Sequence, residues 1–325
     1  MVAAFQPPPQ RMTLGSVRST RQPDRPLRAV VYGVAGVGKS SFAAAAPSPI
    51  FLCGEDGAGF LDVQGFPKPL GWYDVLDAIN VLTSGEHSFQ TLVVDTLDGI
   101  EPLCADHVCR TNGGKKNLED FGFGKGYVLA QEEWRRFLQK LEGLQQKRGM
   151  HVVLLAHAIS KEHKDPEHEQ GWKRWTPKLH AKLAEATSEW TDALLFATHE
   201  AVAKKDGFKV RGIATGERLL HTEWTGAHDA KNRLGLPPTL PLDWSAFWTA
   251  AQPALRPAAP APDPEVVARE LRIIKTDLAT LIPQLDAEAA IKAQGALDGA
   301  GDDLPKLRKI KARVDALLTS ATATV

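Results

Sequence analysis

The strongest signal in this sequence is Gly33-Val34-Ala35-Gly36-Val37-Gly38-Lys39-Ser40. It fits the pattern G-x-x-x-x-G-K-[ST], the phosphate-binding loop of nucleoside triphosphatases. Glycines let backbone N–H groups turn towards phosphate oxygens without a Cβ in the way. The Lys39 ammonium would reach the outer phosphates, and the Ser40 hydroxyl is a ligand that suits Mg²⁺. We therefore predict an ATP and Mg²⁺ site formed by Gly33 through Ser41.

The flanking residues favour a genuine nucleotide site over a chance match. Ala29–Tyr32 reads as a buried strand that enters the loop. Ser41–Ala46 reads as a short helix that leaves the loop and stops at Pro47. Strand, loop and helix in this order are the context that the motif requires.

Bulk composition is that of a soluble globular protein, with 325 residues, 43% hydrophobic and 24% charged residues and a net charge of zero. Because the net charge is zero, the molecule as a whole does not attract nucleic acid or membranes electrostatically. Any DNA contact must therefore come from local basic patches. The three cysteines form no C-x-x-C pair and no metal-ligand spacing, which favours reduced thiols. The chain has no apolar run of membrane-spanning length, so we expect a cytoplasmic protein without membrane contact.

Acidic residues follow two predicted strands after the loop. Ile50–Cys53 is a short apolar run, and Glu55 follows it as the candidate general base, with Asp56 as the second choice. The alternative is that both acids belong to a surface turn. Gln90–Thr96 is an apolar strand containing Asp95, which has the form of a Walker B segment and would support Mg²⁺ beside Ser40.

A histidine ends the next predicted strand. His151–Ala156 is apolar after its first residue, and His157 follows at the tip, level with the two acids. A polar side chain there could contact the γ-phosphate, so His157 is a candidate catalytic sensor. The alternative is a structural histidine.

Two polar segments combine cations with aromatic rings. Positive charge can hold DNA phosphates and ring faces can stack on bases, so these segments are candidate single-strand surfaces. The alternative is ordinary loops whose rings enter the core. The candidate DNA-binding residues are Lys115, Lys116, Phe123, Lys125 and Tyr127 in the segment 112–127, and Trp172, Lys173, Arg174, Trp175 and Lys178 in the segment 161–182. The spacing of His163, His168 and Glu169 matches no metal motif, so we predict no metal there.

The following part of the chain reads as β structure. Ala193–Ala197 gives a strand, the Asp206-Gly207 turn a β-hairpin, and Arg218–His221 one more edge strand. Lys231 and Arg233 then place two cations in a short polar stretch. They are candidates for fingers that complete a neighbouring subunit's nucleotide site, or else solvated charges.

Four regions follow from these patterns: a flexible basic arm (1–27), an ATPase core (28–250), a Pro/Ala linker (251–264) and a helical C-terminal region (265–320). Strands alternating with helices predict an α/β core with a mainly parallel sheet. The β-hairpin region would add antiparallel strands at one edge. Two apolar stripes at helical spacing predict a small helical appendage; they are Val267, Leu271, Ile274, Leu278, Leu281 and Leu285, and Leu307, Ile310, Val314 and Leu317.

Several segments together resemble one family. GVAGVGKSSFA, IFLCGEDG, LVVDTLDGIE, FGFGKGY, HVVLLAHA, WKRWTPKL and DAKNRLGLP look like the phage RecA-like ATPases of the Sak-four type, grouped as phage nucleotide-binding proteins. The resemblance covers about residues 28–240. An acid after the second strand, with Thr96 rather than Glu after Asp95, is similar to the RecA-like branch and not to AAA+ proteins.

The resemblance implies an ATPase that binds single-stranded DNA and promotes strand annealing or recombination. Its expected partners are single-stranded DNA, further copies of itself in a ring or filament, and a single-strand binding protein. By position it implies that Lys39 and Ser40 bind nucleotide and Mg²⁺, that Glu55 activates water and that Asp95 supports the metal. Two alternatives stay open: a helicase loader that contacts DNA through a partner, and a P-loop small-molecule kinase.

Overall fold

The structure is a computed structural model that describes residues 13, 17, 24–55, 59–164, 170–206, 209–255 and 264–322. Most of the predicted N-terminal arm and linker lies outside the described residues, as do Asp56, Gly207, His168 and Glu169. The chain divides into two compact units, Met1–Pro257 and Ala258–Val325.

The first unit is built on one large sheet. Its strands run in the order β10-β8-β7-β1-β5-β4-β2-β3, and β6 and β9 pair with β5 and β7. The pairs from β7 through β1, β5, β4 and β2 to β3 are parallel, and the remaining pairs are antiparallel. The strands are β1 (Arg28–Gly33), β2 (Pro49–Cys53), β3 (Gln64–Gly65), β4 (Thr91–Asp95), β5 (His151–His163), β6 (Trp172–Pro177), β7 (Ala193–Asp206), β8 (Lys209–His221), β9 (Lys231–Asn232) and β10 (Thr239–Pro241).

Helices cover both faces of the sheet because the central strands are apolar on both sides. On β1, Val30 and Tyr32 face one core cluster, whereas Ala29 and Val31 face the other. The helices are α1 (Lys39–Ala44), α2 (Trp72–Ser84), α3 (Leu97–Thr111), α4 (Lys125–Arg148), α5 (Ala181–Trp190) and α6 (Trp244–Leu255). Side chains of α2, α3, α4 and α5 fill the first cluster, and those of α1 and α6 fill the second. The predicted α/β fold with a mainly parallel sheet and antiparallel strands added at one edge is confirmed.

Apolar residues spaced by three and four positions predict a helix over residues 128–148, and α4 follows this pattern. Its buried residues include Trp134, Phe137, Leu138, Leu141 and Leu144, spaced by three and four positions. The helix ends at Gly149, whose φ of 67° closes the last turn in the left-handed region. It begins at Lys125, three residues before the predicted start at Val128.

The β region differs from the sequence prediction in three places. Strands β7 and β8 form one long antiparallel pair, so the predicted separate edge strand Arg218–His221 is wrong: these residues are the end of β8. The polar segment predicted as a loop at 161–182 is largely a β-hairpin, because β5 continues to His163 and pairs with β6. The edge strand beside β8 is instead β10, whose Leu240 is buried on the core.

The second unit is helical. It contains α7 (Pro264–Leu281), α8 (Ala287–Ala300) and α9 (Leu304–Thr322), with a short 3-10 helix at Ile282–Gln284 where Pro283 interrupts α7. Ile274 and Leu278 of α7 pack against Leu307 and Val314 of α9, as the two sequence stripes predict. Helix α8 carries no such stripe and was not predicted. Among the described residues, none of the helices combines the length and the apolar character needed to cross a bilayer.

Candidate nucleotide site

The phosphate loop joins β1 to α1 at the carboxyl edge of the parallel sheet. Gly33 must be glycine because an added Cβ would lie 2.3 Å from the carbonyl oxygen of Ala197 on β7. Gly36 and Gly38 have φ values of 76° and 105°, which side chains rarely adopt. The three glycines of the motif therefore have different structural roles. Gly33 allows β1 to pack closely against β7, and Gly36 and Gly38 allow the loop to turn.

Lys39 is folded onto the loop. Its Nζ donates to the carbonyl oxygens of Gly33 and Val34, each at 3.1 Å, and the residue is 6% exposed. Burial lowers the pKa of Lys39, and the nearby carboxylates of Asp95, Asp98 and Glu55 oppose that shift. In the part of the chain that the structure describes, none of these carboxylates comes within ion-pair distance of the ammonium, which is placed where phosphate oxygens could lie close to it.

Ser40 and Asp95 form the predicted metal-binding pair. The Ser40 hydroxyl donates to Oδ2 of Asp95 at 2.5 Å, although the residues are 55 positions apart. Burial raises the pKa of Asp95, and the bond from Ser40 and the charge of Lys39 lower it. Two oxygen ligands beside a phosphate loop fit Mg²⁺, which prefers hard oxygen donors.

Glu55 lies on the same edge because β2 and β4 end at one level, opposite Leu155 of the longer strand β5. Cys53 pairs with Asp95, and Asp95 pairs with Leu155. Glu55 is exposed and accepts a 3.4 Å bond from the Thr96 hydroxyl. A pocket of about 340 Å³ opens between these groups and the loop. It is lined by Gly36, Gly38, Lys39, Ser40, Ser41, Glu55, Phe60, Leu61, Asp95, Thr96 and His157.

His157 is held by a residue that the sequence analysis missed. The two carboxylate oxygens of Asp98 accept from the backbone N–H and pair with Nδ1 of His157, both at 2.9 Å. Lys178 Nζ lies 3.4 Å from the same carboxylate, whose side chain is only 3% exposed. Burial alone would raise the pKa of Asp98, but the contacts from His157 bring it below its ordinary value. Asp98 lies in the first turn of α3, and its sequence position signals only a helix start.

The second group of candidate DNA residues lies on β6 of the β5–β6 hairpin and directly after it, where Lys178 contacts Asp98 beside the pocket. Lys173, Trp175 and Lys178 are exposed, and Trp172 is half-buried. Arg174 is not available as predicted: it is 6% exposed, pairs with Asp229 and lies over the Trp224 ring. Trp224, which is 58% exposed, is a further aromatic residue on this surface that the sequence analysis missed.

The first group of candidate DNA residues lies in the glycine-rich segment 112–127. Lys115, Lys116 and Lys125 are exposed, and Phe123 is fully exposed. Tyr127 differs, because its ring stacks on His180 at 4.2 Å and its hydroxyl bonds to Glu119. The contact between Tyr127 and His180 brings the glycine-rich segment next to the segment that follows β6.

The candidate finger residues lie away from the loop of their own chain. Strand β9 pairs Lys231 with Leu194, near the amino end of β7, whereas the phosphate loop follows the carboxyl end of β1. Lys231 Nζ donates to the carbonyl oxygens of Ser188 and Glu189, at 2.5 Å and 3.0 Å. Arg233 is exposed and is the more accessible of the two cations.

The comparisons with known proteins place the chain in a family. No curated protein matches the sequence. Among solved structures, the crystal structure of the RadB recombinase matches with a TM-score of 0.34 and 14% identity, over 61% of this chain and 80% of that chain. A family model described as an AAA domain matches residues 25–234, a span that includes β1, the phosphate loop and every strand of the sheet up to β9. Since this match covers more than half of the chain, the protein belongs to the AAA domain family (AAA_24).

Proposed function

We propose that the protein is a RecA-like, ATP-hydrolysing protein that binds single-stranded DNA and promotes strand annealing in phage recombination. The observation that carries this proposal is the course of β5. Its parallel half ends at His157 in the nucleotide pocket, and its other half forms the basic and aromatic hairpin with β6. One strand therefore connects the candidate site of hydrolysis to the candidate DNA surface.

The nucleotide chemistry is assigned to four side chains. Lys39 binds the outer phosphates, and Ser40 and Asp95 hold Mg²⁺, which supplies positive charge to the triphosphate when bound. Glu55 orients and activates the attacking water, since it is exposed to the pocket and separate from the Ser40–Asp95 pair. His157 contacts the γ-phosphate with the ring orientation that Asp98 imposes.

The DNA chemistry is assigned to the two segments that meet at Tyr127 and His180. Exposed lysines hold phosphates, and the rings of Phe123, Trp172, Trp175 and Trp224 offer faces for base stacking. Arg174 serves this surface indirectly, by holding Trp224 and Asp229 in place.

Assembly completes the proposal. Copies of the chain form a ring or filament, with Arg233 as the leading finger candidate and Lys231 as the second, and a single-strand binding protein delivers the DNA. The RecA-like core spans residues 28–250, preceded by a basic arm and followed by the linker and the helical region. The position of Glu55 after β2, with Thr96 beside Asp95, supports the RecA-like arrangement.

The test is annealing of two complementary fluorescent oligonucleotides with ATP, with ADP and without nucleotide. We expect ATP to give the fastest annealing, and Lys39→Ala to remove the difference between nucleotides. DNA affinity should fall steeply between two salt concentrations, since phosphate contacts release counterions. Annealing no faster than the spontaneous reaction, together with weak DNA binding, would contradict the proposal and favour a helicase loader.

A further inference from the structure

Arg218 approaches the phosphate loop from the side of the sheet opposite to the acids. It lies near the end of β8, where it is paired with His199 of β7. Its Nη1 donates to the carbonyl oxygen of Val37 at 3.5 Å. A Cβ added to Gly38 would lie 2.6 Å from the same nitrogen, so the guanidinium fills the space that the missing side chain leaves.

The guanidinium has donors to spare. Arginine offers five N–H donors, and a bond of 3.5 Å is at the outer limit of hydrogen-bond length. Arg218 is exposed, and in the described part of the chain we find no carboxylate within ion-pair distance of it. A cation placed against a phosphate loop without an anionic partner of its own is a strong candidate for a phosphate contact.

The sheet order gives the direction from which this cation acts. Strands β5, β4 and β2, which carry His157, Asp95 and Glu55, lie on one side of β1. Strands β7 and β8 lie on the other side. A nucleotide in the loop therefore has the Mg²⁺ and γ-phosphate groups on one flank and Arg218 on the opposite flank.

A neighbouring contact keeps Arg218 in this place. The backbone carbonyl of Arg218 accepts from the Leu242 N–H at 2.8 Å, just after β10. The Leu242 side chain also comes within 3.7 Å of the Cβ position of Gly38. Leu242, which follows β10, thus holds the backbone of Arg218 beside the phosphate loop.

We propose that Arg218 is a nucleotide-binding residue that acts within its own subunit and contacts the part of the phosphate chain that ATP and ADP share. This inference rests on the proposed nucleotide site and adds a second cation to Lys39. This role differs from that of the finger candidates Lys231 and Arg233, which would act on a neighbouring subunit and only on the triphosphate.

The experiment measures the affinity of the full chain for ATP and for ADP, each with Mg²⁺, by isothermal titration calorimetry. The variants are Arg218→Gln, Arg218→Lys and the control Arg135→Gln, an exposed arginine of α4. We expect Arg218→Gln to weaken both nucleotides by the same factor, about tenfold or more, since hydrogen bonds to charged groups contribute that much. Arg218→Lys should recover part of the loss, and the control should match the wild type.

Two results would overturn the inference: affinities of Arg218→Gln within twofold of the wild type, or a loss confined to ATP. A mixing experiment adds a third test, in which Arg218→Gln chains are combined with Lys39→Ala chains. Recovery of hydrolysis in the mixture would mean that Arg218 acts on a neighbour, against the inference. A wild-type protein that binds no nucleotide would instead contradict the proposed function itself, so the two failures are distinguishable.

Discussion

At the scale of single residues, the nucleotide site depends on positions where no other residue type fits. Gly38 has a φ of 105°, and its Cα faces Arg218 where a Cβ would come within 2.6 Å of Nη1. Lys39 and Asp95 are both 6% exposed and influence each other's pKa, so each depends on the charge of the other. Small substitutions here should affect binding more than folding.

Gly38→Ala should sharply weaken ATP binding, because the new Cβ forces the loop out of its left-handed conformation at a cost of about 1–2 kcal/mol and displaces Arg218. The matched control is Gly143→Ala in α4, where nothing lies within 4 Å of the added Cβ. The control should bind ATP normally and melt at a higher temperature, since alanine stabilises a helix interior by about 0.5–1 kcal/mol. Calorimetric titration and thermal melting check both variants, and normal ATP binding by Gly38→Ala would contradict the geometry.

Glu55→Gln should keep ATP binding and lose most hydrolysis, because the amide has the shape of the carboxylate but cannot accept a proton from water. Binding is measured by titration and turnover by phosphate release. Normal turnover in this variant would remove Glu55 from its role.

The candidate site residues that the sequence predicts share one property: each belongs to a local pattern. The phosphate loop is contiguous, and Asp95 ends a buried strand whose central residues are apolar. Asp98, Arg218 and Trp224 enter the site only through tertiary packing, from a helix start, a long strand and a loop, so no local pattern identifies them. Lys231, by contrast, stands in a local polar stretch that singles it out, and only its bonds to the end of α5, 42 and 43 residues away in the chain, depend on tertiary packing.

At the scale of elements, β5 is the strand that runs from the candidate nucleotide pocket into the candidate DNA-binding hairpin. It pairs with β1 and β4 in its first half and with β6 in its second. Tyr32 at the end of β1 donates to the carbonyl oxygens of Trp175 and Asp229, at 3.2 Å and 2.6 Å, which fastens the hairpin to the strand before the phosphate loop. The sequence predicted the apolar half of β5 and not the polar half, because that half is a solvated hairpin without hydrophobic alternation.

The first residue of β5 should make stability depend on pH. Burial lowers the pKa of His151, and its Nδ1 accepts the Leu27 N–H at 2.9 Å, so the folded protein requires the neutral ring. As the pH falls below about 6.5, the unfolded chain takes up a proton that the folded chain resists, and stability is lost at up to about 1.4 kcal/mol for each unit of pKa difference. Above pH 6.5 this contribution is fully retained.

His151→Asn should flatten that dependence, because the Asn oxygen can accept the same N–H and does not titrate. The measurement is the melting temperature between pH 7.5 and pH 5.5, where the wild type should lose more than the variant. The control is His199→Asn, an exposed position on β7, which should keep the slope of the wild type. Equal slopes for wild type and His151→Asn would contradict the role of burial.

At the scale of the whole molecule, the chain consists of two units with separate cores. Each described hydrophobic cluster lies within one unit, and the family match ends at residue 234, inside the first unit. The residues assigned to nucleotide and DNA all lie before Pro257. The boundary could be expected from the run of proline and alanine, whereas α8, the middle helix of the second unit, could not, because it is rich in alanine and carries no wide apolar stripe.

A chain that ends at Pro257 should therefore fold and bind ATP within about twofold of the full chain, since none of the site residues is removed. Titration with ATP and a thermal melt check this prediction. A truncated chain that is soluble and folded but does not bind nucleotide would show that the helical unit takes part in the site.

We propose that one nucleotide site is coupled to the basic and aromatic surface through β5. The decisive test is ATP hydrolysis by the full chain with and without single-stranded DNA at two salt concentrations, with Lys39→Ala as the background. We expect DNA to stimulate hydrolysis and the stimulation to fade at the higher salt concentration, as phosphate contacts weaken. Hydrolysis that is indifferent to DNA at both concentrations, under conditions where DNA is bound, would contradict it.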